Sequence, residues 1–364
     1  MSETKIPEKM AGVVLTGHGG FDCLEYREDI PVPSIGQEEV LIRVGACGVN
    51  NTDINTRIGW YSKAVTRGTD SGGADGFDET DQTDAGWSGE ALSFPRIQGA
   101  DVAGRIVAVG KNVDPARIGE RVLVRTIQDL PETDQGINCS TVGSETDGGF
   151  ARFTKAPASQ TFAVNSGLTD IELASFPCAY STAENLVDRA GVSDTDTVLI
   201  TGASGGVGSA AVQLAKRRGA EVIAVCGKEK AGRIKEIGAD RVVDRNTPLT
   251  EAVASMTVEV VIDLVGGPQW PDLTEVLKRG GRYAVAGAIA GPMVTLDLRT
   301  LYLKDITFFG CTWQPRRIFE NLVGYIERGE LTPLVSSTYP LKDIQQAQTD
   351  FLSKRYPGKL VLYP

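Results

Sequence analysis

TDTVLITGASGGVGSAAVQLAKRRGAEVIAVC, residues 195–226, is the stretch whose reading decides the fold. TVLI is a short apolar run of strand length, GASGGVG turns on its glycines, AAVQLAKRRG repeats apolar residues at helical spacing, and EVIAVC is a second strand. Strand, glycine turn, helix and strand in succession make a βαβ unit. The alternation continues through KAGRIKEIGA (230–239) as helix, DRVVD (240–244) and VEVVIDLVG (258–266) as strands, WPDLTEVLKRG (270–280) as helix and GRYAVAG (281–287) as strand. Such alternation predicts a parallel, doubly wound α/β sheet.

Outside this block the texture changes. EVLIRVGACGV (39–49), GADVAGRIVAVG (99–110) and GERVLVR (119–125) read as short β segments punctuated by turns, so the first third is β-rich. After Gly310, PRRIFENLVGYIERGEL (315–331) reads as an amphipathic helix and GKLVLYP (358–364) as a closing strand able to rejoin the first sheet. The expected organisation is a discontinuous β-rich domain at residues 1–165 and 316–364, with a nucleotide-binding domain at 166–315 inserted. Between Arg67 and Arg96 lie seven acids and no base among glycines, serines and threonines, which predicts a solvated, mobile surface excursion over residues 67–95. Trp87 and Phe94 are placed to pin its far end, and residues 128–149 form a second polar stretch.

At 364 residues the chain is long enough for two domains, and 41% apolar with 23% charged residues is the balance of a folded soluble protein. Forty-seven acids against 37 bases give a net charge of -10, which repels phosphate backbones and anionic lipid. Nucleic acid and membrane are therefore excluded as partners, and a small-molecule substrate is expected. No apolar run reaches membrane-spanning length and the opening MSETKIPEKM lacks a signal peptide's apolar core, so a cytoplasmic protein is expected. Six cysteines lie far apart with no CxxC pair, which argues for reduced thiols rather than disulfides or a cysteine-rich zinc lobe.

The glycine turn lies between a strand and a helix, the context that a dinucleotide-binding fingerprint demands. Gly205 lets the backbone approach a pyrophosphate, Gly208 lets helix pack close to strand, and Ala203, Ser204, Gly206 and Val207 complete the turn at the helix N-terminus. Ala203 stands where the first glycine of the motif is usual. The second strand ends Val225, Cys226, Gly227, without the carboxylate that would bond both ribose hydroxyls of NAD. Lys228, Lys230 and Arg233 follow, and Arg245 comes after the third strand, so cations surround the place of a 2′-phosphate and NADPH is the expected cofactor. Lys230 and Arg233 could instead be only the solvent face of a helix.

The same residues, with GADVAGRIVAVG, DGGFARF (147–153), PLKDIQQAQ (340–348) and GKLVLYP, resemble the medium-chain dehydrogenase/reductase superfamily over nearly the whole chain. The resemblance implies a GroES-like catalytic domain from the two chain ends, a Rossmann domain between them and an active site in the cleft. Zinc-dependent members carry ligands in GxCxTD, GHE and a later Cys before STGY. This chain reads GVNNTD, GAD and CAYSTA there, so Asn50 and Ala100 replace two ligands and only Cys178 remains. No metal is expected, since a catalytic zinc takes about three protein ligands, and His18, the single histidine, reads as a turn residue.

Zinc-free quinone oxidoreductases and enoyl thioester reductases are the branches that GVNNTDINTRIGWY (48–61) is similar to. Asn50 and Asp53 match their N-x-x-D element, and Tyr61 matches the tyrosine that the enoyl reductases offer as catalytic acid. Trp313 matches a substrate-pocket tryptophan, with Trp60 beside Tyr61 as a second lining candidate, and Lys230 with Arg245 matches the 2′-phosphate contacts of the quinone reductases. Packing is the other reading for Tyr61 and Trp313. The resemblance thus implies an NADPH-dependent, zinc-independent reductase of carbonyl-conjugated double bonds, working as a homodimer or homotetramer, with Tyr61, Asn50 and Thr182 as catalytic candidates. Quinone or carbonyl reduction, alcohol oxidation, and a non-catalytic, crystallin-like NADPH-binding protein are the alternatives.

Overall fold

In the computed structural model the described residues are 6–131 and 137–364; residues 1–5 of the opening segment and 132–136 of the second polar stretch lie outside them. The chain divides into two units. One takes the chain up to Val65, Gly72–Cys178 and Val335–Pro364; the other takes Thr66–Ser71 and Ala179–Leu334. Both main boundaries fall downstream of the positions read from sequence. The helix Arg316–Glu327 belongs to the inserted unit, because Tyr325 on its apolar face donates to the buried Glu184 and Arg217 lies over the Tyr325 ring.

In the inserted unit, Thr197–Ile200 is central because its apolar side chains find cover on both faces of a sheet. The sheet order is Arg241–Asp244, Glu221–Cys226, Thr197–Ile200, Val258–Asp263, Leu277–Val285, Thr307–Gly310, with every pairing parallel. The doubly wound reading therefore holds, and its core includes Leu199, Ile223, Val261, Trp270 and Tyr283. Thr307–Gly310 and the helix Leu298–Leu303 carry no clear sequence signal, being short and largely exposed.

The β-rich unit is built on Glu39–Gly48, which pairs antiparallel with Ala103–Val109 on one side and with Lys359–Tyr363 on the other. The closing strand thus returns to the first sheet, next to Val335–Pro340. A core of Val40, Ile42, Val102, Ile106, Phe150 and Leu360 fills the space behind the sheet.

The acidic segment is more firmly anchored than its composition predicts. Phe77 packs with Ile54, Ile58 and Val65. The carbonyls of Gly73 and Ala74 accept from the fully buried Arg57, at 2.5 and 3.4 Å. Further along, Asp81 N–H donates to Ser62 Oγ, Ser88 N–H donates to Glu145 Oε1, and Phe94 meets the His18 ring edge-on at 5.0 Å. A buried guanidinium and a few apolar side chains anchor a segment whose acids, Asp84 apart, are exposed.

Candidate active site

Asn50 is the N-cap of the helix Asn51–Ile58, and its N–H donates to Asp53 Oδ2 at 2.8 Å. Asp53 Oδ1 accepts from Gly99 N–H, and the carboxyl is buried, which pushes its pKa up to about 7; the two N–H donors oppose that shift. The helix ends at Gly59, in the left-handed region at φ 69°, and this turn brings Tyr61 back along the helix. Tyr61 Oη lies 2.9 Å from Thr52 Oγ1. Burial pushes the phenol well above its ordinary pKa, opposed by hydrogen bonds from Thr52 and Asn55, so Tyr61 stays protonated at any working pH. Trp60 stacks edge-on against it at 5.8 Å.

Asn50 does not present a free amide. Its Nδ2 donates to Asp101 Oδ2 at 2.7 Å and to Gly48 O at 3.3 Å, and its Oδ1 accepts from Lys359 Nζ at 2.5 Å. Both amide hydrogens of Asn50, a catalytic candidate from the sequence, are thus engaged within the protein. Asp101 and Lys359 were not among the sequence candidates, although each sits inside a motif, GAD and GKLVLYP, that the resemblance picked out.

In the inserted unit, Gly202 rather than Ala203 makes the turn. Gly202 has φ +59°, while Ala203 is fully buried and its N–H donates to Val225 O at 3.0 Å. A Cβ on Gly208 would lie 2.2 Å from the Gly202 carbonyl, so the helix Gly206–Arg217 starts against the strand end only without a side chain there. Ser204, Gly206 and Val207 are half-buried and Gly205 is exposed, leaving the helix N-terminus open to an anion. Asp263, fully buried, fixes this turn from the next strand: its Oδ1 accepts from Thr201 Oγ1 at 2.6 Å and its Oδ2 from Tyr283 Oη at 2.6 Å.

At the end of the second strand Cys226 is buried and Gly227 leads into a single turn that ends at Lys230. Lys230 is buried, which holds its ammonium below the usual lysine range; Glu229 opposes this and Arg245 adds to it. Arg245 is exposed, and its N–H donates to Cys226 O at 2.9 Å, so both cations stand at adjacent strand ends. Arg233 instead pairs with Glu236 at 2.8 Å on the exposed helix face. Thr182 and Trp313 also belong to this unit: Gln314 Nε2 donates to Thr182 Oγ1 at 3.5 Å, and Asn185 Nδ2 donates to Trp313 O at 3.1 Å.

A β-rich unit joined to a parallel sheet with a glycine-turn nucleotide cradle defines a two-domain dehydrogenase. Residues 36–166 match the alcohol dehydrogenase GroES-like domain and residues 206–328 match the zinc-binding dehydrogenase domain. The chain belongs to the medium-chain dehydrogenase/reductase superfamily, whose members are nicotinamide-dinucleotide-dependent oxidoreductases. Over 99% of its length it is 46% identical to a protein of Sinorhizobium meliloti 1021 provisionally named an alcohol dehydrogenase, with 98% of that chain covered and a TM-score of 0.87. It is 28% identical to the acryloyl-coenzyme A reductase of Metallosphaera sedula, across 97% of this chain and 99% of that protein. To the chloroplastic NADPH-dependent alkenal/one oxidoreductase of Arabidopsis thaliana it is 26% identical, across 100% of this chain and 82% of that protein.

One matched domain is described as zinc-binding, so the fit of a metal to this chain has to be tested. Where the resemblance places ligands stand Asn50, Ala100 and Cys178. Asn50 is already bonded to the Lys359 ammonium and Ala100 has no donor atom in its side chain, so of the three positions only Cys178 keeps a metal ligand. A divalent ion would meet a fixed ammonium and a single thiol ligand. These residues do not fit zinc.

Proposed function

We propose that the chain is an NADPH-dependent, zinc-independent reductase of double bonds conjugated to a carbonyl. The observation that carries this reading is Tyr61: a neutral phenol held in its protonated form and turned back along a capped helix. Bound NADPH supplies a hydride to the β-carbon. Negative charge then develops on the carbonyl oxygen and α-carbon, and Tyr61 Oη serves as hydrogen-bond donor and as acid. Its raised pKa does not prevent the transfer, because an enolate carbon is a stronger base than a phenolate. Thr52, on the Tyr61 oxygen, is the residue that holds the phenol's orientation. In the inserted unit Lys230 and Arg245 supply the charge for a 2′-phosphate, with Gly227 leaving the strand end open.

The names of two relatives, an acryloyl-coenzyme A reductase and an alkenal/one oxidoreductase, support the substrate class. A homodimer is part of the proposal. Thr307–Gly310 is a sheet edge, and Phe308 on it, with Met293, Leu298, Tyr302 and Leu303 nearby in sequence, is exposed.

NADPH oxidation by the purified protein, measured against matched enal, enone, enoyl-CoA, quinone and aldehyde substrates and, with NADP+, against alcohols, tests the reading. Turnover is expected with enals, enones or enoyl-CoA, persisting after treatment with chelators. Turnover confined to alcohols and aldehydes, or activity lost with stoichiometric zinc, would overturn it.

A further inference from the structure

Lys359 opens the last strand and is 2% exposed, an unusual place for an ammonium. Its Nζ donates to three oxygens: Asn50 Oδ1 at 2.5 Å, Asp101 Oδ2 at 2.8 Å and Val49 O at 2.9 Å. Asp101, 0% exposed, also accepts at Oδ2 from Asn50 Nδ2, while its Oδ1 accepts from Cys178 N–H at 2.6 Å. Four segments distant in sequence meet on this one ion pair: the cap of the helix Asn51–Ile58, the GAD turn, the first turn of the helix Pro177–Arg189 and the closing strand. The backbone has been shaped around it. A Cβ on Gly48 would lie 2.5 Å from Asp101 Oδ2 and 3.0 Å from Lys359 Cε, so the preceding strand passes only as glycine.

We infer that the Lys359 ammonium is the cation around which the β-rich unit's site is organised, its three oxygen partners including the Asn50 side chain that stands at a ligand position of the zinc-dependent relatives. Lys359 is a positioning residue. It fixes the Asn50 amide, and with it the start of the helix that carries Thr52 and leads to Tyr61. Through Asp101 it also gives a buried carboxylate to the first turn of the helix Pro177–Arg189, whose leading N–H groups favour an anion. Without the ammonium, Asp101 would be a buried, uncompensated charge and Asn50 Oδ1 would lose its charged donor.

The test combines readouts that need the proposed substrate with readouts that do not. Lys359→Ala is expected to lose about tenfold or more in kcat while its NADPH affinity stays within about twofold, because the nucleotide turn is built in the other unit. Methylammonium or ethylammonium, but not tetramethylammonium or added sodium chloride, should restore part of the lost rate, since the missing group is a hydrogen-bonding cation. In thermal unfolding, Lys359→Met and Asp101→Asn should each lower Tm, and the double variant should recover most of the loss. Melting needs no substrate, so it judges this inference even if the enone reading fails. Cobalt(II) titrated into the wild-type protein should give no thiolate charge-transfer band. Additive effects of the two single variants on Tm, or stoichiometric cobalt uptake with a thiolate band while Lys359 is intact, would overturn the inference. If neither single variant folds, a soluble, folded double variant supports it, and a double variant no better than the singles overturns it.

Discussion

The nucleotide turn and the cluster around Lys359 are built on opposite plans. The turn is local: Thr201, Gly202, Ala203, Gly205 and Gly208 lie within eight consecutive residues, and two of the glycines are there for reasons of backbone geometry that hold whatever the rest of the chain does. The Lys359 cluster gathers residues 49, 50, 101, 178 and 359, and the Lys359 to Asn50 bond spans 309 positions. The first kind of site depends on steric exclusion, the second on charge balance in a low-dielectric interior. A substitution at the exposed turn position Gly205 should act on cofactor affinity, whereas one in the β-rich unit should act on rate or on pH-dependent stability.

Tyr61 gives the largest expected effect on that division. Tyr61→Phe keeps the ring and removes the proton, and positioned general acids contribute about a hundred-fold to ten-thousand-fold, so kcat should fall by that order. The NADPH dissociation constant should stay within about twofold. An unchanged kcat would return Tyr61 to packing and leave Thr182 or water as the proton source.

Asp53 comes next and is read in stability. Its pKa rises from 3.8 to about 7 on folding, chiefly through burial, so the native state keeps a proton that the unfolded chain gives up. The stabilisation is complete below the unfolded value and is lost as pH rises through about 7. Between about pH 5 and about pH 7 this single group should remove roughly 2 kcal/mol from the wild type, a loss that Asp53→Asn does not share. Denaturant unfolding of both proteins across that range should show the gap moving in the variant's favour. A constant gap would mean that the N–H groups of Asn50 and Gly99 hold the carboxylate ionised, and that charge balance around Lys359 includes Asp53 as a second anion.

The same contrast explains how much the amino-acid sequence reveals. The inserted sheet was legible because apolar periodicity and strand-to-helix alternation are local signals, and the closing strand because GKLVLYP is apolar and short. Thr307–Gly310 was not, since an edge strand with exposed side chains lacks the buried run that marks its neighbours. The helix Arg316–Glu327 was legible as a helix but not as part of the inserted unit, because amphipathicity says that a face is covered and not by what. Asn50 was found through its motif, but the partners that occupy its amide, Asp101 and Lys359, come from elsewhere in the chain and were not. The acidic segment misled for a related reason: its composition reports the exposed acids, while Arg57, which anchors it, lies outside it.

The smallest effect is expected where the sequence grouped residues that the fold separates. Lys228, Lys230, Arg233 and Arg245 form one cationic set by position, yet Lys230 is buried behind the second strand's end, Arg245 stands at the neighbouring strand end, and Arg233 is paired with Glu236 in solvent. A charge-assisted contact to a phosphate contributes about 1.5 to 3 kcal/mol, so Lys230→Ala and Arg245→Ala should each weaken NADPH binding about tenfold or more and leave NADH binding nearly unchanged. Arg233→Ala should change neither affinity by more than about twofold, because an exposed pair on a helix surface contributes little and Arg233 is directed to Glu236. Titrating the wild type and the three variants with both cofactors measures this. If Arg233→Ala lowered NADPH affinity as far as Lys230→Ala does, the solvent-face pairing would have to break on binding, and the phosphate would be met by a helix that moves rather than by a strand end already in place.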